Sequence, residues 1–249
     1  MERLVSGRCL LARSPVAHRL TPALDIDAFT ERVSRKLMLG ISVGSLVAFA
    51  ALAWGLAYAE GRTLASLFRT DRSLSEALAV GLVIGSVVSL AVTGAVLHAP
   101  ALHRFREFLR AAYAKAGLHR GDMLIVALNA GVGEEFLFRG AIHPLLGNGW
   151  TSLVFALLHT GLPRSRLLVA FGLYVFAVSL GLGVLYEHYG LAAAMAAHAV
   201  YDLVFLVWSA HALTDQRLTH GRGITTAVDA AAPGLRPGGQ EGEEPSVRG

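Results

Sequence analysis

Cysteine is nearly absent: of 249 residues, only Cys9 carries a thiol. A single sulfur closes no intramolecular disulfide and builds no thiolate metal cage. Charge is scarce too, with Asp, Glu, Lys and Arg at 16% of the chain against about 25% in an ordinary soluble domain. No His-Glu-x-x-His sequence occurs, so the helix-borne zinc site of soluble metalloproteases is missing. The N-terminal residues show no long apolar core and no clear cleavage site, so no signal peptide is read there. No internal repeat is visible. What fills the chain instead is apolar: 54% of it is hydrophobic and its mean hydropathy is +0.52. These residues come in blocks of about twenty rather than at amphipathic spacing. That distribution predicts an all-α fold, a polytopic transmembrane helical bundle of one domain between two tails; a soluble helical protein with a large core is the alternative. The net charge of +4 does not call for nucleic acid, because basic residues on a membrane protein mark its cytoplasmic loops.

Residues 1–37 form a basic tail with Arg3, Arg8, Arg13, Arg19, Arg32, Arg35 and Lys36, expected in the cytoplasm along lipid headgroups. The bundle comes next, over residues 38–213, with about six spans: Met38–Ala59, Glu76–Leu97, Met123–Leu146, a short one from Thr151 to Thr160, Leu167–Tyr186 and Leu191–Leu213. Between the second and third, Ala101–Leu118 interleaves Leu102, Phe105, Phe108, Leu109, Ala112, Tyr113 and Ala116 with Arg104, Arg106, Arg110 and Lys115. That is the pattern of an interfacial amphipathic helix, or of a solvated connector. Gly147-Asn148-Gly149 reads as a tight turn and Trp150 as an interfacial aromatic. Residues 214–249 turn to Gly, Pro, Ala and charge, which predicts a disordered tail. With the N-terminus inside, 18 of the 22 Lys and Arg residues lie on the inner side, three (Arg62, Arg69, Arg72) lie outside, and Arg139 lies within a span. The positive-inside rule then puts both termini of a multi-pass cell-membrane protein in the cytoplasm.

The third span carries Gly131-Val132-Gly133-Glu134-Glu135-Phe136-Leu137-Phe138-Arg139-Gly140. A charge at mid-membrane depth costs about 2.5–3.5 kcal/mol on insertion scales, and this segment holds three of them. On a helix, Glu135 and Arg139 share a face and can pair. Glu134 lies about 100° around and is left for other work. Ala130, Gly131 and Gly133 would let a neighbouring helix or a substrate backbone approach closely. The fourth span puts Phe155 and His159 on one face, and the sixth does the same for His198 and Asp202. Counted inward from their span ends, Glu134, His159 and His198 all fall near the middle of the bilayer, where polar groups on different helices face one another rather than lipid. His98, His103, His119 and His211 read as interfacial, and His143, Glu187 and His188 sit near span ends.

At these residues the sequence resembles the CAAX prenyl protease 2 family, also called the CAAX-protease and bacteriocin-processing family of intramembrane glutamic proteases. Glu134-Glu135-Phe136-Leu137-Phe138-Arg139 is similar to its Glu-Glu-x-x-x-Arg, Phe155 to His159 to its Phe-x-x-x-His, and His198 to Asp202 to its His-x-x-x-Asn/Asp. The three motifs stand in the family's order on the third, fourth and sixth spans, within a core of about 123–213. The resemblance implies an intramembrane endopeptidase acting on membrane-associated proteins, of CAAX type or related. It implies Glu134 and His159 as the activators of a water, Glu135 and Arg139 as their support, and His198 and Asp202 as the oxyanion stabilisers. Asp202 stands where many relatives carry Asn; an ionised Asp cannot donate to an oxyanion, so it must be protonated or orient His198.

Two alternatives stay open on the residues alone. Glu134, His159 and His198 are one carboxylate and two imidazoles, a set known for catalytic zinc; the favoured mechanism uses no metal and no other cofactor. Instead of a protease, the chain could be a non-catalytic scaffold or self-protection protein of the same fold, or an ion-coupled transporter. The expected partners are membrane lipid and a protein or peptide substrate.

Overall fold

A computed structural model describes residues 34–68, 70–103, 105–107, 109, 116–161 and 166–230. Among them there is no strand. The helices are α1 (Arg35–Ala59), α2 (Leu64–Leu67), α3 (Leu74–His98), a 3₁₀ turn (Pro100–Leu102), α4 (Arg120–Glu135), a π-helical segment (Phe136–Ile142), α5 (His143–Thr160), α6 (Arg166–Tyr189) and α7 (Leu191–Ala230). The chain divides into two compact units, Met1–Ser209 and Ala210–Gly249, and the packed helices belong to the first.

Local chemistry sets the ends. Ser34 caps α1 by accepting from the Leu37 N–H at 3.3 Å, and Ser73 caps α3 by accepting from the Glu76 N–H at 3.2 Å. Asp122 accepts from the His119 N–H at the start of α4 (2.9 Å). Glycines in the left-handed region, at Gly161 (φ 63°) and Gly190 (φ 83°), close α5 and α6.

Among the described residues, five stretches are long and apolar enough to cross a membrane: Arg35–Ala59, Leu74–His98, Arg120–Thr160, Leu168–Tyr189 and Leu191–His211. The third has 41 residues, about twice the length a bilayer core requires. It does not run straight. Gly147 adopts φ 72° and ψ 171°, and the chain folds back there, because the Phe138 and Phe155 rings meet at 4.8 Å. The turn read at Gly147-Asn148-Gly149 therefore divides two packed segments, and Trp150 beside it is exposed.

Two pairs of helices run parallel, shown by constant sequence offsets. Arg35 grips Asp122 with two hydrogen bonds (2.6 and 2.9 Å) and Asn129 donates to Ser42 at 3.0 Å, both at a separation of 87 residues. Leu46 against Gly133 keeps the same offset, so α1 lies along α4. Ser89 donates to the Tyr201 carbonyl at 2.6 Å across 112 residues, an offset shared by Gly81 on Ala193 and Gly85 on Ala197. There α3 and α7 touch backbone to backbone, which only small residues allow. Between the pairs, Leu137, Phe138, Ala141, Phe155, Ala156 and Val175 form the core behind the motif segment. Outward positions such as Val47, Val83 and Leu173 are apolar and exposed, as a lipid-facing surface requires.

Some expectations meet the structure differently. Of the expected interfacial helix at Ala101–Leu118, the described residues begin in the 3₁₀ turn and are helical at 103, 105–107, 109 and 116, while 104, 108 and 110–115, like the basic tail before Ser34, lie outside the described residues. α7 continues helically to Ala230, past Leu213 where a disordered tail was expected to start, since no proline interrupts it before Pro233. Residues 231–249 lie outside the described part of the chain.

Candidate active site

α4 and the π segment meet at Glu135–Phe136, in the middle of the motif. The π turn changes the hydrogen-bonding step from four residues to five, with the His143 N–H reaching the Phe138 carbonyl. Even so, Arg139 stands over Glu135: its Nη1 donates to Glu135 Oε1 at 3.0 Å, and both side chains are wholly buried. The other end of the guanidinium, Nη2, donates at 2.7 Å to both the carbonyl and the hydroxyl of Ser179 on α6. The Phe155 ring lies 5.1 Å beneath it, adding a cation–π contact. His198 reaches the same carboxylate from α7, its Nδ1 2.8 Å from Glu135 Oε1. Glu135, Arg139, Ser179 and His198 thus form one sealed network drawn from three parts of the chain. Each member has a hydrogen-bonded partner, as a buried charge requires, although Glu135 Oε2 and Arg139 Nε find none.

In front of that layer stand the less buried groups. Glu134 Oε2 lies 3.4 Å from His159 Nε2, and this carboxylate oxygen is buried with no hydrogen-bond partner. The other ring nitrogen of His159, Nδ1, is 2.8 Å from the Phe155 carbonyl one turn back. A carbonyl only accepts, so Nδ1 carries the proton and donates. The imidazole is stacked on the Phe155 ring at 4.2 Å, which fixes its plane. Asp202 Oδ2 approaches His198 Nε2 to 3.6 Å, beyond a hydrogen bond. His198 is therefore a bridge between layers, bonded to Glu135 behind and pointed at Asp202 in front.

The structure thus brings Glu134, Glu135, Arg139, His159, His198 and Asp202 together. The shared face of His198 and Asp202 does not make them a bonded pair; the firm partner of His198 is Glu135. Of the three groups named as zinc donors, Glu134 and His159 face one another, while His198 turns both nitrogens to other carboxylates. Among the described residues no three His, Cys, Asp or Glu side chains converge as a ligand set. Gly131 packs on Ala199 of α7 and Gly133 on Leu46 of α1, so the small residues beside the motif seat neighbouring helices. His143 pairs with Glu187 at 3.0 Å at the far end of the segment, away from this cluster.

Ser179 escaped the sequence reading. One hydroxyl in an apolar span is common, and nothing in its spacing links it to Arg139, 40 residues earlier. Tyr174 and Tyr201, whose hydroxyls are hydrogen-bonded to each other, escaped it for the same reason.

Residues 118–204 match a family model, that of the Type II CAAX prenyl endopeptidase Rce1-like proteins. No curated protein and no solved structure matches the chain. The matched stretch holds all six clustered residues, whereas α1 and α3 lie outside it.

Proposed function

We propose that the chain cleaves membrane-associated proteins of CAAX or related type within the bilayer, with Glu134 and His159 activating the water; the match of residues 118–204 to the Type II CAAX prenyl endopeptidase Rce1-like family model supports this. The observation that carries this reading is the opposed pair. With its Nδ1 proton given to Phe155, His159 turns Nε2 to Glu134 Oε2 across 3.4 Å, and in its neutral form that nitrogen is a lone pair facing a carboxylate. Two acceptors held face to face are satisfied by a donor between or beside them, and water is the donor that hydrolysis consumes.

The steps balance. The water oxygen bonds to the scissile carbonyl carbon as its proton passes to the Glu134–His159 pair, and the carbonyl oxygen takes the negative charge. The pair then returns the proton to the amide nitrogen as the C–N bond breaks. His198 and Asp202 stand beside this pair and supply the oxyanion side. Glu135, fixed by Arg139, accepts from His198 Nδ1 and so sets the direction of Nε2, which donates to the oxyanion when the ring carries both protons, a form that the flanking Glu135 and Asp202 carboxylates favour. Asp202, aimed at that nitrogen, orients it and does not itself donate, which accommodates Asp where relatives carry Asn. The sealed layer behind keeps the imidazole from turning.

The test uses purified full-length protein and a lipid-anchored peptide ending in a CAAX-type sequence. Glu134→Gln keeps size and hydrogen bonding but removes the proton acceptor, and it should lower kcat by at least about 10²-fold with folding and substrate binding retained. Undiminished cleavage by Glu134→Gln overturns the reading. Elemental analysis of active wild type decides the metal question: activity without metal supports the glutamate mechanism, and one equivalent of zinc lost together with activity replaces it.

A further inference from the structure

We infer that Arg62, in the loop after α1 and outside the matched region, is a positioning residue for this site: it holds the π-helical segment that presents Arg139 to Glu135. Its catalytic consequence rests on the proteolytic reading above; its structural consequence does not.

A donor is missing from this segment. Pro144 has no N–H, so the carbonyl four residues before it, that of Gly140, gets none from that position. The change from five-residue to four-residue bonding at the end of the π segment falls at this same place. Unpaired carbonyls at membrane depth are costly. Arg62 supplies what is lacking. Its Nη1 donates to the Gly140 carbonyl at 2.8 Å and its Nη2 to the Ala141 carbonyl at 3.3 Å, while Nε donates to Glu60 at 2.5 Å. All three guanidinium nitrogens are engaged, two of them on the residues immediately after Arg139.

The placement of Arg62 is itself built. The Gly61 N–H bonds to the Tyr58 carbonyl at 3.0 Å and the Arg62 N–H to the Ala57 carbonyl at 2.8 Å, with Gly61 at φ 68°. This is the Schellman ending of α1. It turns the chain so that Arg62, three residues past Ala59, points its side chain at the π segment. Since α1 also lies along α4 through Arg35–Asp122 and Ser42–Asn129, the motif segment is held from one neighbouring helix at its start, its middle and its end. A lysine cannot replace the fork, because an ammonium on a flexible stem does not span two adjacent carbonyls with fixed geometry.

The test compares wild type, Arg62→Ala and Arg62→Lys as full-length proteins in nanodiscs, by hydrogen exchange and by kinetics. Freeing this segment should raise amide exchange in peptides covering Phe136–Leu146 by about tenfold or more while α6 and α7 keep their rates. On the lipid-anchored peptide, kcat should fall about tenfold or more with KM within about twofold, the signature of a disturbed catalytic geometry. Arg62→Lys should be intermediate in both, and it carries the test if Arg62→Ala does not fold. Unchanged exchange at Phe136–Leu146, or an equal rise along the whole chain, overturns the inference. So does a local rise that leaves kcat intact while Glu134→Gln abolishes turnover. If wild type itself shows no Glu134-dependent cleavage, the proteolytic reading fails, and the exchange result alone then decides whether Arg62 holds the segment.

Discussion

Arg139 has four hydrogen-bonded or ring partners and no exposed surface, and its removal is correspondingly costly. Arg139→Ala leaves Glu135 a buried charge without its counter-ion, and the expected loss is about 3–5 kcal/mol of stability, read as a large drop in folded yield and thermal midpoint. Ser179→Ala removes one of two acceptors on the same nitrogen, and about 1.5–3 kcal/mol is expected in the same measurement. An equal or larger effect of Ser179→Ala would contradict the network as described. Asp202→Asn keeps an acceptor oxygen opposite His198 Nε2, so kcat should stay within about tenfold, whereas His198→Ala should cost more than about 10²-fold. The Glu135–Arg139 contact was legible in the sequence because a spacing of four survives even where the helix widens. The bond from His198 to Glu135 was not: motif spacing reports only neighbours on one helix, and this contact joins residues 63 apart.

At the level of elements, helical spans were readable because hydrocarbon admits little else. The π segment was not, because it differs from an α-helix by one residue per hydrogen bond and leaves no mark on hydropathy. Nor was the pairing of α1 with α4, since flat apolar surfaces carry no record of which neighbour they meet. Glycine shows how context decides. A Cβ at Gly131 would come within 2.5 Å of the Ala199 backbone, whereas one at Gly121 in the same helix meets nothing within 4 Å. Gly131→Ala should therefore push α7 away from the motif and lower both thermal stability and turnover. Gly121→Ala should gain about 0.5–1 kcal/mol from backbone entropy. Thermal unfolding of the two variants side by side checks this, and matched behaviour would argue against the close α4–α7 contact.

For the molecule as a whole, we propose from the charge distribution, which the bundle alone does not address, that both ends lie in the cytoplasm. Reporter fusions after His220 and within Glu60–Ser75 should give opposite signals, the loop outside and the C-terminal side inside. An outside signal at His220 would reverse the topology. The parallel pairing of α3 with α7 has a further consequence, for biogenesis. Gly81, Gly85 and the Ser89 hydroxyl wait for partners made 112 residues later. At about 5–20 residues per second the ribosome takes roughly 6–22 s to supply them. During that interval the nascent second span presents a hydroxyl and a glycine groove to lipid or to an insertase. A chain that stalls before Leu191 keeps that groove open, with the Ser89 hydroxyl left without the Tyr201 carbonyl.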